Sequence, residues 1–201
     1  MILQAVNLAL RFDDWQLWRG LSFTIAQAEL VHLRAANGRG KTSLLRGLMG
    51  LNHWLEGDVR WAVDMQAEED FAAKVLFVGH KTPLASELSV LENLQLLQGL
   101  RGQVSSQQQL AATLQDIGLQ GFADMPAKWL SAGQSRRLVL SQCDLPSLRF
   151  WCFDEPFVAL DKMYVEWLVA KIQAFQLSGG AVLFTSHQEI PGLAARELYL
   201  D

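Results

Sequence analysis

Long apolar runs, cysteines and basic charge are all scarce in this 201-residue sequence. No segment approaches the roughly 20 apolar residues of a membrane-spanning helix. The first apolar run, residues 1–6, follows no basic segment, so we expect no secretion signal. The two cysteines, Cys143 and Cys152, have neither metal-ligand nor redox spacing, which favours buried thiols in a reduced, cytoplasmic protein. The formal net charge of -4 argues against nucleic-acid binding, because phosphate backbones require a basic surface.

Short apolar runs alternate with helical patterns along the chain, which predicts an α/β fold with a largely parallel sheet. Half of the residues are hydrophobic and 19% are charged, so a full core is possible and extensive disorder is not expected. The predicted strands cover residues 2–8, 21–25, 30–35, 74–78, 149–153 and 181–185. The predicted helices cover residues 40–49, 90–97, 107–117, 131–141 and 161–175.

Residues 83–141 differ from the rest of the chain because they are rich in Leu and Gln and contain no convincing strand pattern. The length suits one domain, or one domain with a small inserted lobe. We therefore predict a single domain at residues 1–201, with an α/β core formed by about 1–82 and 142–201. The helical subdomain inserted in it would cover about 83–141.

A glycine-containing loop lies between a predicted strand and a predicted helix, which is the context that a phosphate-binding loop requires. Gly38 and Gly40 let the backbone curl so that successive N–H groups converge on one anion. Lys41 adds a full charge for the outer phosphates of ATP, and the Thr42 hydroxyl can bind Mg²⁺. The candidate nucleotide-binding residues are Ala35, Ala36, Asn37, Gly38, Arg39, Gly40, Lys41, Thr42 and Ser43. The alternative is a coincidental Gly-Lys-Thr in a turn.

Ala35 departs from the usual phosphate-loop pattern, which has glycine at this position. Alanine disfavours positive φ. Either the loop begins here with an ordinary φ, or the backbone is slightly strained.

Two carboxylates follow the apolar strand at residues 149–153. Ligands of open α/β sheets bind beyond the carboxyl ends of the strands. We expect Asp154 to meet Mg²⁺, directly or through water, and Glu155 to polarise the water that attacks the γ-phosphate. A helix N-cap on a solvated turn is the alternative, but it explains one carboxylate better than two.

The next apolar strand, residues 181–185, leads to His187. A histidine there can donate to the γ-phosphate and hold the water, whereas an isolated surface histidine is the alternative. The candidate catalytic residues are therefore Lys41, Glu155 and His187.

Residues 130–134, Leu-Ser-Ala-Gly-Gln, resemble the Leu-Ser-Gly-Gly-Gln signature of the ATP-binding cassette (ABC) ATPases. The order of phosphate loop, signature, acidic strand, D-loop and switch histidine is similar to that family along nearly the whole chain. The resemblance implies a P-loop NTPase fold with a RecA-like core and an inserted helical subdomain, and it places Asp161 in the D-loop. It also implies a head-to-tail homodimer, in which each signature covers the ATP of the partner. The signature residues would be Ser131, Ala132, Gly133 and Gln134.

Two further positions depart from the usual pattern of the ABC family. His80 stands where the Q-loop normally has glutamine, and it could reach the nucleotide through water. The adenine usually stacks on an N-terminal tyrosine; Phe12 is the matching position here, and Trp15 is a nearby substitute.

Several short segments of the sequence are similar in particular to the ATPase subunits of bacterial cytochrome c maturation systems. They are Gly79-His80, Leu91-Glu92-Asn93-Leu94, the segment 130–137 and the segment 154–161. This resemblance implies ATP and Mg²⁺ as cofactors and a peripheral location at the cytoplasmic face of the bacterial inner membrane. The partners would be the integral membrane subunits of that complex, and ATP hydrolysis would power release of a haem-loaded chaperone. We expect no direct haem binding, because the chain has no Cys-x-x-Cys-His motif, and no nucleic-acid partner.

Three other functions stay open on the sequence. The chain could be the ATPase of another small export or lipid-handling system. It could be a soluble ABC-type ATPase that acts on nucleic acid or ribosomes, although such proteins usually carry two cassettes or long inserts. The departures at Ala35, His80 and Ala132 leave a degenerate, non-hydrolysing scaffold as the third alternative.

Overall fold

The computed structural model of the protein describes residues 1–12, 15–52 and 55–200, apart from the side chains at positions 12, 15, 63 and 68–70. The strands in this part of the chain are β1 (Leu3–Phe12), β2 (Trp15–Ile25), β3 (Leu30–Arg34), β4 (Leu55–Trp61), β5 (Val75–Val78), β6 (Phe150–Phe153), β7 (Ala181–Thr185) and β8 (Arg196–Tyr199). The α-helices are α1 (Lys41–Leu48), α2 (Glu68–Lys74), α3 (Val90–Gly99), α4 (Gln107–Asp116), α5 (Ala132–Leu140) and α6 (Lys162–Leu177).

The central sheet has five strands in the order β5-β6-β7-β3-β8, and every pair is parallel. Every residue of β6 and β7 is buried, so both faces of these strands are covered. Phe150 and Cys152 pack in one apolar cluster, whereas Trp151 and Phe153 pack in another. Because successive side chains of a strand point to opposite faces, the two clusters are the cores on the two sides of the sheet. The predicted α/β fold with a parallel sheet is confirmed.

A second sheet, with strand order β2-β1-β4, is antiparallel and packs on the core through β1. Strand β1 is longer than the predicted strand. Strand β4 was missed because its half-buried apolar residues are separated by exposed polar residues and Gly57. Gly57 has a φ of 103°, and a Cβ there would lie 2.7 Å from the Asn7 carbonyl oxygen. Glycine therefore allows the close approach of β4 to β1 at an irregularity of the register.

Helices α3, α4 and α5 share a separate apolar cluster that includes Val90, Leu94, Leu110, Leu114 and Leu138. Each of the three begins with a capping box, formed by Ser89 with Glu92, Ser106 with Gln109, and Ser131 with Gln134. Helix α5 also contributes Val139 and Leu140 to a core cluster of the parallel sheet. It therefore joins the two regions, while the division at residues 83 and 141 stays a prediction.

Helix α2 and strand β8 were also missed, because both are short and β8 is mostly exposed. No helix within the described ranges is long and apolar enough to cross a membrane.

Candidate active site

The loop between β3 and α1 is curled by two glycines in the left-handed region. Gly38 has a φ of 76° and Gly40 a φ of 86°. Gly40 caps α1 without a side-chain hydrogen bond, and the Arg39 N–H donates to the Ala36 carbonyl at 3.3 Å. The first N–H groups of α1 have no partner within the helix and carry the positive end of its dipole, so the loop presents donors suited to phosphate.

Ala35 begins this loop with an ordinary backbone. The described non-glycine residues with positive φ are Asn7, Ala28, Ser147, Glu155 and Ala159, and Ala35 is not among them. The first of the two alternatives for Ala35 is therefore correct. Its carbonyl accepts a hydrogen bond of 2.8 Å from Lys41 Nζ, which holds the ammonium group across the loop.

A cavity of about 720 Å³ opens in front of the loop. Among the described residues, those lining it come from the phosphate loop, the Q-loop position, the acidic strand end and the switch position. They are Leu17, Ala36, Asn37, Gly38, Gly40, Lys41, Thr42, Ser43, His80, Asp154, Glu155 and His187. The fold thus brings residues from four of the predicted segments to one cavity, because β3, β6 and β7 end at the same edge of the parallel sheet. Two predicted nucleotide-binding residues of the described chain, Ala35 and Arg39, are not among those that line it.

Asp154 lies at the end of β6 and is 2% exposed. One carboxylate oxygen accepts a hydrogen bond of 2.7 Å from Thr42 Oγ1, and the other accepts one of 2.9 Å from Thr185 Oγ1. Hydroxyl and carboxylate oxygens are the ligands that Mg²⁺ prefers. The Thr42–Asp154 pair at the cavity therefore has the donor chemistry that the predicted metal site requires.

Glu155 is 8% exposed and has a φ of 52°, which is uncommon for a residue with a side chain. Its N–H donates to Thr185 Oγ1 at 2.9 Å. Its side-chain Oε1 is buried and has no hydrogen-bond partner among the described residues. His187 Nε2 is 3.4 Å from this oxygen, but the geometry is too poor for a hydrogen bond, and the His187 side chain is 55% exposed. A buried carboxylate oxygen without a partner, in a cavity beside a phosphate loop, is an acceptor for a water molecule.

His80 is exposed and lines the same cavity, while its contact with a nucleotide stays a prediction. The side chains of Phe12 and Trp15 fall outside the described residues, so adenine stacking on either ring stays a prediction. Leu17, further along β2, does reach the cavity wall.

The signature residues lie apart from this cavity: in the described chain, none of them is among the residues that line it. Ser131 caps α5, and its hydroxyl accepts from the Gln134 N–H at 3.2 Å while the Gln134 side chain accepts from the Ser131 N–H at 2.8 Å. Ser131 and Ala132 are exposed. The hydroxyl hydrogen of Ser131 remains available, because the capping contact uses the oxygen only as an acceptor.

Gly133 and the D-loop meet within the chain. A Cβ at position 133 would lie 2.5 Å from the Ala159 carbonyl oxygen, so only glycine fits this approach. Ala159 itself has a φ of 66°, and two residues later Asp161 caps α6 by accepting from the Tyr164 N–H at 3.1 Å. The signature and the D-loop are therefore in direct contact on one surface of the molecule.

Two residues that the sequence analysis did not single out organise the site. Arg136, on α5, is 4% exposed and donates to the carbonyl oxygens of Gly79 at 2.7 Å, Asp154 at 2.8 Å, Glu155 at 2.7 Å and Pro156 at 3.3 Å. Burial lowers the pKa of Arg136, while the nearby carboxylates oppose that shift. The guanidinium group ties the Q-loop backbone to the backbone of the acidic pair.

Thr185 is the second residue, and it is fully buried at the end of β7 between Asp154 and Glu155. A polar residue ending an apolar strand was a usable signal for it. Arg136 also carried one, because it lies three and four positions before Val139 and Leu140, on the apolar face of α5. Residue type alone would have predicted an exposed side chain, because arginine is seldom fully buried. Only the position of Arg136 on the apolar face of the helix indicated that it is buried.

Comparisons with known proteins identify the family of the chain. The family model described as ABC transporter matches residues 18–158. A "Cytochrome c biogenesis ATP-binding export protein CcmA" from Methylococcus capsulatus is 41% identical over 88% of this chain and 86% of its own. The protein of the same name from Haemophilus influenzae is 39% identical over 96% of this chain and 92% of its own. A solved structure of the ATP-binding subunit of an ABC transporter is 19% identical, with a TM-score of 0.82 over 93% of this chain and 80% of that one, and supports the fold.

The family model covers more than half of the chain, and the solved structure supports the same fold. The chain therefore belongs to the ABC transporter family, as an ATP-binding protein similar to the CcmA cytochrome c biogenesis proteins.

Proposed function

We propose that this chain hydrolyses ATP to ADP and phosphate as the nucleotide-binding subunit of a membrane ABC complex for c-type cytochrome biogenesis. The observation that carries the hydrolytic part is the buried, unbonded Oε1 of Glu155, which lies in one cavity with the phosphate loop. This oxygen is an acceptor placed beside the phosphate loop, as a base for the water that attacks the γ-phosphate has to be.

Binding of ATP uses the curled loop and the start of α1. Backbone N–H groups after Gly38 hold the phosphates, and Lys41 Nζ exchanges its contact with the Ala35 carbonyl for the outer phosphate oxygens. Thr42 and Asp154 would hold Mg²⁺, which when bound neutralises charge on the phosphates. The aromatic ring of Phe12 or Trp15 would stack on the adenine.

Hydrolysis then needs a water molecule placed opposite the bridge between the β- and γ-phosphates. Glu155 Oε1 accepts a hydrogen bond from this water and takes its proton as the new O–P bond forms. The bond to the bridging oxygen breaks, and ADP leaves with that electron pair. His187, 3.4 Å from Glu155, donates to the γ-phosphate, and His80 contacts the nucleotide through water.

The signature would complete the site of a second copy. The start of α5 offers hydrogen-bond donors to an anion, namely the exposed Ser131 hydroxyl and the Gly133 N–H. These donors are not among the described residues that line the cavity of their own chain. A head-to-tail homodimer with two ATP molecules between phosphate loop and opposing signature would use this donor set, and Asp161 of the D-loop would lie at the same interface.

The cellular role rests on the named relatives, which are cytochrome c biogenesis ATP-binding export proteins. The integral membrane subunits of such a complex would hold this chain at the cytoplasmic face of the inner membrane, and its ATPase cycle would power release of a haem-loaded chaperone. A cleft of about 1000 Å³ between α1, β5 and α3 is the proposed docking surface, because exposed apolar side chains of Leu51 and Leu100 border it. Haem itself would be handled by the partners.

The test is a pull-down from detergent-solubilised source membranes with the Glu155→Gln chain and ATP. We expect the cytochrome c maturation membrane subunits to be recovered and identified by mass spectrometry. Lys41→Ala, in which ATP binding should be weakened roughly 100-fold, serves as the matched control. Recovery of an unrelated permease would keep the ATPase chemistry and remove the role in cytochrome biogenesis. Recovery of ribosomes or of no membrane protein would contradict the membrane-complex proposal.

A further inference from the structure

Arg136 combines features that set it apart from the other basic residues of the helical region. It is almost fully buried, and its Nε, Nη1 and Nη2 atoms all donate to main-chain carbonyls rather than to a carboxylate. Three of those carbonyls belong to consecutive residues, from Asp154 to Pro156. A buried guanidinium group is stable only when its donors are satisfied, so this arrangement constrains the backbone of the acidic pair strongly.

The backbone of Glu155 is held from both sides. Its N–H donates to Thr185 Oγ1 at 2.9 Å, and its carbonyl accepts from Arg136 Nη2 at 2.7 Å. Between these contacts the residue has a φ of 52°. Left-handed backbone at a residue with a side chain persists only where its surroundings enforce it. The position of the unbonded Oε1 therefore depends on the contacts of the Glu155 main chain, because the oxygen itself makes no hydrogen bond.

Arg136 also lies on the helix that begins at the signature. Ser131 caps α5, and Arg136 follows in the second turn. The same guanidinium group donates to the carbonyl of Gly79, the residue before His80, at 2.7 Å. A displacement of α5 that moved Arg136 would therefore shift the peptide groups of Glu155 and of the Q-loop together.

We propose that Arg136 is a positioning residue for ATP hydrolysis: through the Glu155 peptide it orients the carboxylate that takes the proton of the attacking water. This inference rests on the proposed hydrolytic role of Glu155. It means that a movement of α5, the helix that begins at the signature, is transmitted to the Glu155 carboxylate through Arg136.

The neighbouring Arg137 provides a matched control. It lies on the same helix, donates to the Ile117 carbonyl at 2.5 Å and stacks over the Tyr164 ring at 3.8 Å, away from the cavity. Arg136→Gln and Arg137→Gln each remove one charge from α5 and one set of contacts to carbonyls. Only the first of them releases Glu155.

The experiment measures kcat and KM for ATP, the melting temperature, and ATP affinity by titration with a fluorescent ATP analogue, on the purified full chain. For Arg136→Gln we expect kcat to fall about 10- to 100-fold while KM and affinity stay within about threefold. Arg136→Lys should restore part of kcat, since an ammonium group can still reach one or two carbonyls. Arg137→Gln should lower the melting temperature and leave kcat within about twofold.

A double variant separates this inference from the proposed function. If Arg136 acts through Glu155, then Arg136→Gln should not slow the Glu155→Gln chain any further. Wild-type turnover by Glu155→Gln alone would remove the proposed function itself. If Glu155→Gln is inactive but Arg136→Gln has a normal kcat, only the positioning role is overturned. The positioning role is also overturned if Arg136→Gln and Arg137→Gln lose kcat equally.

Hydrogen exchange gives a readout that needs no activity and that also covers a variant with altered folding. Exchange of the Glu155 amide should be roughly tenfold faster in Arg136→Gln than in the parent chain, and unchanged in Arg137→Gln. Unchanged exchange at Glu155 in a folded Arg136→Gln or Arg136→Lys chain would contradict the proposal.

Discussion

The acidic pair after β6 and the signature before α5 are both polar sites at the end of a secondary-structure element, but the chain treats them differently. Asp154 and Glu155 are buried, and Thr42, Thr185 and Arg136 hold their carboxylates or backbone. Ser131 and Gln134 bond mainly to each other and lie at the surface. Buried polar groups have to be satisfied within the chain, whereas exposed ones can wait for a partner. The acidic pair is thus held by contacts within the chain, whereas the signature is exposed and available to a partner.

The strongest test of this contrast is Glu155→Gln. Loss of the proton acceptor should lower kcat by about 100- to 10,000-fold while ATP still binds, because the amide keeps the shape of the side chain but not its basicity. Steady-state hydrolysis and nucleotide titration measure the two effects separately. Glu166→Gln, at an exposed position on α6, is the control and should behave as the parent chain.

Lys41→Ala tests the other half of the buried site. Removing the ammonium group that lies across the loop should weaken ATP binding by roughly 100-fold, because a charge-assisted contact to phosphate is lost. Equilibrium titration with ATP gives the answer. Arg46→Ala removes the same charge from an exposed position of the same helix, and comparable weakening in that variant would indicate a general field rather than a specific contact.

Ser131→Ala addresses the exposed site and has a close control in Ser106→Ala, since both serines cap a helix through the same kind of box. Each substitution should cost about 1 kcal/mol of unfolding free energy through the lost cap. Only Ser131→Ala should also lower ATP hydrolysis, by roughly tenfold, because only its hydroxyl would reach the ATP of a partner chain. Equal hydrolysis in the two variants would contradict a role of the signature in trans.

Thr185→Val tests the stability of the buried site rather than its turnover or its affinity for ATP. The substitution keeps the shape but leaves Asp154 Oδ1 and the Glu155 N–H without their shared partner, so we expect a loss of about 1–3 kcal/mol in unfolding free energy. Denaturant unfolding measures it. Thr185→Ser keeps the hydroxyl and should recover most of the loss; failure to do so would assign the effect to packing instead.

Much of the fold and of the candidate site was predictable from contiguous patterns. The phosphate loop, the strand before Asp154 and the capped start of α5 each depend on residues a few positions apart, and each was predicted. The mostly exposed strands β4 and β8 were not, since both are defined by pairing with strands distant in the chain, which local periodicity does not reveal. Cys143 and Cys152 are buried as expected, and burial raises the pKa of both thiols.

The sequence by itself determined which chemical groups are present, in what order, and on which kind of element each lies. The left-handed backbone of Glu155 and its unbonded oxygen were decided only by the tertiary structure. The contacts that hold them come from Thr185 and Arg136, which are 30 and 19 positions away in the chain. Local patterns follow from steric and hydrogen-bonding preferences of neighbouring residues, but the orientation of a buried group follows from packing between distant ones, and that exists only once the sheet and α5 have met.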